Sequence, residues 1–229
     1  MRILAIDTSC GAASACVAES GAAAPIALET LPMERGHAEA LAPLLQKLMA
    51  GVERGFSSLD RVAATVGPGS FTGIRIGLAT ARAIGLGLSA PVVGVSSLAA
   101  FAGSLLADPR PGVIAAAIDA KHGRVYLQLF EANGRPLLPP RLANLRDAVR
   151  LIGSGPVRLA GSAAPLLAAE AARAGLAAEI AGPIDCPDIV AVARLGLVAD
   201  PDQSPPRPLY LKAPDAQAPE NPAIARASP

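Results

Sequence analysis

Tryptophan is absent from this 229-residue chain, and aromatic side chains amount to four phenylalanines and two tyrosines. Stacking on nucleic-acid bases therefore has few candidates, and the 52% hydrophobic content must form a core from small aliphatic side chains, chiefly alanine and leucine. An excess of one charge is missing too: 20 Lys and Arg face 19 Asp and Glu, with no run of like charges. That balance argues against an electrostatic grip on RNA or on an anionic membrane, so any nucleic-acid contact is expected to be shared with a partner. The three cysteines, Cys10, Cys16 and Cys186, are an odd number without metal spacing and predict free thiols in a reducing cytoplasm. The two histidines, His37 and His122, have no Asp or Cys at ligand spacing, so no metal site is expected. G-x-S-x-G does not occur, and although serines are plentiful no Ser-His-Asp triad can be argued from their order. No uninterrupted apolar run reaches the ~18 residues of a membrane helix, and the first apolar run, closed by Asp7, is too short for a signal peptide.

What is present is a regular alternation of strands and helices. Apolar runs at 2–7, 12–19 and 24–31, parted by Ser20-Gly21, predict an antiparallel meander. From Gly36 the period becomes helical, with Leu41, Leu44, Leu45 and Leu48 on one stripe, Gly51 as the stop, and Pro43 predicting a kink or a later start. Next come a buried strand at 61–66, a helix over 72–88 and a strand at 92–95, then a third helix capped by Ser96 and reaching about 106. The cluster Asp108-Pro-Arg-Pro-Gly112 marks a lobe boundary. The second half restarts in the same way: the run 113–119 ends in Asp119 as the first ended in Asp7. Strands at 124–132 and 157–160 and helices at 145–152, 163–174 and 189–199 complete it, with Asn133-Gly134 as a turn. The predicted organisation is a first lobe over 1–108, a smaller second lobe over 109–212, and a disordered tail over 213–229, with Pro208-Leu-Tyr-Leu211 as a docking segment.

Two related halves with a strand-terminal Asp in each are what an actin-like ATPase or sugar-kinase fold would show. The turns Asp7-Thr8-Ser9 and Asp119-Ala120-Lys121-His122-Gly123 would then be its phosphate turns. The second carries Lys121 and His122 where a compact glycine turn normally lets backbone N–H groups approach phosphate, so a purely structural role for both turns is favoured. Gly67-Pro68-Gly69-Ser70 is not followed by GKS or GKT, which removes the P-loop reading. In the adjoining helix, Gly73, Gly77, Ala81 and Gly85 recur every four residues and form one smooth ridge. Each interior glycine costs about 1 kcal/mol relative to alanine, so close packing must offset roughly 2 to 3 kcal/mol. Either the protein's own sheet or another protein can supply that packing, and the opposite face, with Arg75, Ala79, Arg82 and Leu86, is also a docking surface.

The segments ILAIDTS, GPGSFTGIRIG, PVVGVSSL, AAIDAKHGRVY and PLYLK, in this order, make the chain over 1–212 resemble the bacterial TsaB (YeaZ) family. GPGSFTGIRIG is the most specific of them. The resemblance implies an actin-like, two-lobed α/β fold with mixed sheets flanked by helices, and a role in making threonylcarbamoyladenosine beside the anticodon of tRNA. It further implies a noncatalytic subunit that pairs with the related transferase TsaD, is joined by the ATPase TsaE, and pairs with a second copy of itself when TsaD is absent. No cofactor is implied, and tRNA is met only through the complex. The catalytic relative carries a His-x-x-x-His metal motif where PVVGVSSLAAF places Ser97 and Phe101, and phenylalanine cannot hold a metal ion. The partner surface carried over by motif comprises Leu41, Leu44, Leu45 and Leu48 of the first helix and Arg75, Ile76, Ala79, Arg82 and Ala83 of the second. A vestigial nucleotide site would use Asp7, Thr8, Ser9, Asp119 and Gly161, the last in a turn resembling a reduced adenosine-binding turn. The rival readings are a small-molecule kinase or metallopeptidase, and a stand-alone RNA-binding protein that the charge balance disfavours.

Overall fold

The computed structural model describes residues 1–108 and 110–212. The expected tail, 213–229, lies outside the described residues. Two five-stranded mixed sheets carry the chain. The first contains β1 (Arg2–Asp7), β2 (Ala12–Glu19), β3 (Ala27–Pro32), β4 (Arg61–Gly67) and β5 (Val92–Ser96), in the spatial order β3-β2-β1-β4-β5. The second contains β6 (Val113–Asp119), β7 (Arg124–Glu131), β8 (Pro136–Asn144), β9 (Val157–Ala160) and β10 (Ala178–Ile180), in the order β8-β7-β6-β9-β10. Each sheet opens with an antiparallel meander and adds two parallel strands beside its first strand. The repeated phrase in the sequence is thus a repeated topology, and the fold is the expected two-lobed, actin-like α/β arrangement.

Alternation along the strands sets the layers. Leu4 and Ile6 of β1 face outward, where α1 (His37–Ala50) and α2 (Phe71–Leu88) cover them with Leu41, Leu44, Leu45, Leu48, Ile74 and Leu78. Ile3 and Ala5 face the other way and meet Ile189, Val192 and Ala193 of α6 (Ile189–Val198). In the second lobe Ala115 and Ala117 face α4 (Leu145–Ile152) and α5 (Ala164–Arg173). Ile114, Ala116 and Ile118 turn instead toward Leu98 and Phe101 of α3 (Ser97–Gly103). Helices α3 and α6 therefore fill the space between the sheets. The boundary at 108 separates the two sheets, but α6 and the segment after it return to pack on the first lobe.

Two arginines fasten this middle layer. Arg61 at the start of β4 donates from Nη1 to the carbonyls of Gly196, Leu197 and Ala199, at 2.9, 3.3 and 2.7 Å, where a cation offsets the negative end of α6. Arg158 of β9 does the same beyond α3, donating to the carbonyls of Leu105 at 3.1 Å and Asp108 at 2.6 Å.

Several elements differ from expectation for clear reasons. Helix α1 starts at His37 and runs through Pro43 without interruption. Helix α3 is shorter than expected and gives way to turns after Gly103. Strand β8 was hidden by Pro136, Pro139 and Pro140, residues an edge strand tolerates because it lacks a neighbour on one side. Strand β10 has only three residues and shows no readable period.

Candidate functional site

Helix α2 has two faces with different work. Ser70 caps it by accepting from the Gly73 N–H at 3.2 Å, and Ser70 N donates to the Ser9 carbonyl at 2.7 Å, which lays the glycine loop across the β1–β2 turn. The small-residue ridge points inward. A Cβ on Gly73 would lie 1.9 Å from the Thr8 carbonyl oxygen, one on Gly77 2.6 Å from Thr8 Oγ1, and one on Gly85 2.3 Å from Val92 Cγ2. The ridge is therefore packed by the protein's own first sheet, and the face left exposed is the opposite one. Arg75, Ala79, Arg82 and Ala83 are exposed there, Ile76 is half-buried against the core, and Leu86 is 84% exposed.

The leucine stripe of α1 requires correction. Leu41, Leu44, Leu45 and Leu48 are all buried in the first lobe's own core and cannot form a contact surface. A helical period announces a buried face without saying which protein buries it. The exposed residues of α1 are Ala38, Glu39, Ala42, Pro43, Gln46, Lys47 and Ala50.

Arg75 and Arg82 are exposed but already engaged, because residues 204–211 run as a strap along β5 and α2. Gly94 N donates to the Ser204 carbonyl at 2.8 Å, Leu209 N to the Val66 carbonyl at 2.7 Å, and Arg82 Nη2 to the Pro206 carbonyl. Arg75 Nε donates to Tyr210 Oη at 3.0 Å while its guanidinium stands 3.6 Å from the centre of the Phe71 ring. Phe71 and Tyr210, with ring centres 5.3 Å apart, are the two exposed aromatics among the described residues. The sequence marked Pro208-Leu-Tyr-Leu211 as a docking segment, and it docks on its own chain. Its link to Phe71 and Arg75, about 135 positions away, left no local signal.

Between the lobes lies an open cleft of ≈1340 Å³, lined by Ser9, Cys10, Ser70, Phe71, Asp119, Lys121, Ser162, Cys186 and Tyr210 among others. Of the residues expected to form a vestigial nucleotide site, Ser9 and Asp119 reach it. Asp7 and Thr8 do not. Both are fully buried, with Thr8 Oγ1 donating to the Gly73 carbonyl at 2.7 Å. Asp7 Oδ1 accepts from Ser9 N at 3.0 Å, Ser9 Oγ at 2.6 Å and Thr65 Oγ1 at 2.6 Å, and Ser97 Oγ donates onward to Ser9 Oγ at 3.0 Å. The network holds the turn shut rather than offering it to a ligand. Asp119 is bridged by Lys121 Nζ at 3.0 Å, and Gly161 sits where a Cβ would lie 2.1 Å from the Ala117 carbonyl oxygen, so its glycine is a packing requirement. Phe101 and Ser97 are both fully buried.

Burial raises the Asp7 carboxyl well above its ordinary value of 3.8, against the lowering effect of its hydrogen bonds with Ser9 and Thr65. Its Oδ2 has no partner among the described residues. The folded state therefore holds this proton more tightly than the unfolded chain does. The stabilisation is complete below pH ~4 and is lost as pH rises through the folded value. Asp7→Asn keeps an acceptor for the three hydrogen bonds and cannot ionise. Its stability relative to the parent, measured by urea unfolding, is expected to improve as pH rises above the unfolded value of about 4, and a gap that stays constant with pH contradicts this. Burial also pushes the Cys16 thiol up to about 12 and the Cys186 thiol up to about 11, and raises Cys10 further, so none supplies a ready thiolate at neutral pH.

Known proteins share this architecture and parts of this sequence. The profile of the tRNA N6-adenosine threonylcarbamoyltransferase family, TsaD, matches residues 32–169. The tRNA threonylcarbamoyladenosine biosynthesis protein TsaB of Escherichia coli is 36% identical over 126 residues, covering 55% of this chain and 53% of that protein, so the chain matches about half the length of that curated relative. An uncharacterized protein of Mycobacterium bovis is 31% identical over 219 residues, covering 94% of this chain and 93% of its own length. Among solved structures, YeaZ from Pseudomonas aeruginosa superposes with a TM-score of 0.66 at 26% identity, covering 92% of this chain and 99% of that one. No helix among the described residues is long and apolar enough to cross a membrane.

Proposed function

The chain belongs to the TsaB (YeaZ) branch of the tRNA N6-adenosine threonylcarbamoyltransferase family, and from that footing we propose that it serves threonylcarbamoyladenosine formation in tRNA as a noncatalytic subunit. Its mechanism is association. The outward faces of α1 and α2 pack against the transferase subunit TsaD and hold it in its working conformation, with TsaE completing the assembly. The observation that carries this reading is the division of α2: its glycine ridge is spent on the first lobe, which leaves Ala79, Ala83 and Leu86 without an intramolecular task. On α1, Ala38, Ala42 and Pro43 are likewise exposed. Small side chains four residues apart let a second pair of helices approach closely. The buried Phe101 and Ser97 support a noncatalytic role, since neither offers a metal ligand to the cleft.

Sedimentation of the purified chain with the transferase subunit of the same organism tests the reading. A one-to-one complex at micromolar concentration is expected. Two species that sediment independently at that concentration overturn it.

A further inference from the structure

On the far side of the molecule from α1 and α2, the edge strand β8 and helix α4 enclose a groove of ≈450 Å³, lined by Arg141, Leu142, Ala143, Asp147, Arg150 and Leu151. Arg141 is the anomaly in it. It stands opposite Leu127 in the ladder, so it points to the helix-covered face of the second sheet. Its Nε is buried without a partner, and its side chain makes no hydrogen bond or ion pair among the described residues. Arg61 and Arg158 also leave Nε unpaired, but both spend their terminal nitrogens on helix-end carbonyls. A half-buried guanidinium with no acceptor at all is an open demand for an anion.

The neighbours strengthen that demand. Arg150 and Arg146 are one turn apart on α4, about 6 Å, and Arg173 stands on the adjacent α5. The carboxylates among them are committed: Asp147 accepts from Arg150 Nη1 at 3.0 Å and from Asn144 Nδ2 at 2.6 Å, and Glu170 is shared by Arg146 and Arg173. Four arginines against two carboxylates leave an excess of two positive charges on this face. The arginines of the ion pairs are largely exposed, so the pairs are weak and readily exchange a carboxylate for a phosphate.

We propose that the β8–α4 groove and the adjoining arginines of α4 and α5 bind the phosphate backbone of RNA, with the half-buried Arg141 as the anchor. Several cations spread over two helices suit a chain of phosphates better than one small anion. That the RNA is tRNA rests on the function proposed above. Four arginines cannot make the chain a strong binder alone, so the affinity is that of a sequence-independent contact which adds to whatever the complex supplies.

The test uses the full chain and a tRNA transcript, with binding followed by fluorescence anisotropy as salt is raised. Arg141→Gln with Arg150→Gln is expected to weaken binding about tenfold and to flatten the salt dependence by nearly two units of log–log slope. Arg35→Gln with Arg54→Gln removes equal charge from the first lobe and is expected to change binding less than twofold. Equal losses from both double variants, or no loss from the first, overturn the proposal. So does half-maximal displacement of the transcript by millimolar inorganic phosphate at constant ionic strength, which assigns the groove to a small anion. Because the groove lies away from α1 and α2, association of the Arg141, Arg150 double variant with the transferase reports on the proposed function separately.

Discussion

Gly73→Ala is expected to destabilise the protein by about 3 kcal/mol or more, the largest effect of any single methyl group on α2. The added Cβ would stand 1.9 Å from the Thr8 carbonyl oxygen and 3.1 Å from its carbon. Both are backbone atoms of the β1–β2 turn, so no side-chain rotation relieves the clash, and the loss lies at or above the roughly 1 to 3 kcal/mol typical of overpacking. The helix must lift from the sheet, taking with it the Thr8 Oγ1 bond to the Gly73 carbonyl and the Ser70 N–H bond to the Ser9 carbonyl. Against a typical domain stability of about 5 to 15 kcal/mol, that loss should lower the thermal midpoint by roughly 6 to 12 °C. Gly87→Ala is the matched control. A Cβ there meets nothing within 4 Å, so the substitution gains helix propensity, up to ~1 kcal/mol. Thermal unfolding of the two variants beside the parent decides the matter. Equal midpoints for the pair would mean that the ridge is not packed as described.

Ala79→Glu has the opposite signature, a large loss of association with little change in folding. Ala79 lies exposed on the outer face of α2, where a surface substitution moves stability by no more than ~0.5 kcal/mol. Once a partner helix covers that face, the longer side chain has no room where alanine allowed close approach and its carboxylate loses water, a cost of about 3 kcal/mol and roughly a hundredfold in Kd. Ala83→Glu, one turn further along, should behave alike. A titration of labelled transferase subunit with each variant measures the effect, with the thermal midpoint as the check on folding. Undiminished affinity from both variants removes this face from the interface.

The contrast between these two substitutions also shows what could be read from the chain alone. Four-residue spacing identified the ridge from Gly73 to Gly85, because that signal is local. Which side of the helix the lobe would take was not local: it depended on Thr8 and Val92, brought to α2 by the parallel pairing of β1, β4 and β5. The same limit explains α1. Its leucine period was legible, and the reading of those leucines as a surface failed because the sheet behind them is assembled from three separate stretches of sequence. The repeat of Asp7 and Asp119 did announce the duplicated topology. What it could not announce was that Asp7 would be sealed by Ser9, Thr65 and Ser97 while Asp119 stayed at the cleft. Arg141 escaped notice because it sits in a strand hidden by prolines, and its lack of a partner is visible only in three dimensions.

Threonylcarbamoyl transfer to tRNA, assayed with purified transferase subunit and TsaE in the presence and absence of this chain, tests the central claim most directly. The account predicts that transfer depends on the chain, that Ala79→Glu at equal concentration fails to support it, and that the chain alone neither modifies tRNA nor turns over ATP. Full transfer without the chain, or catalysis by the chain alone, would contradict it.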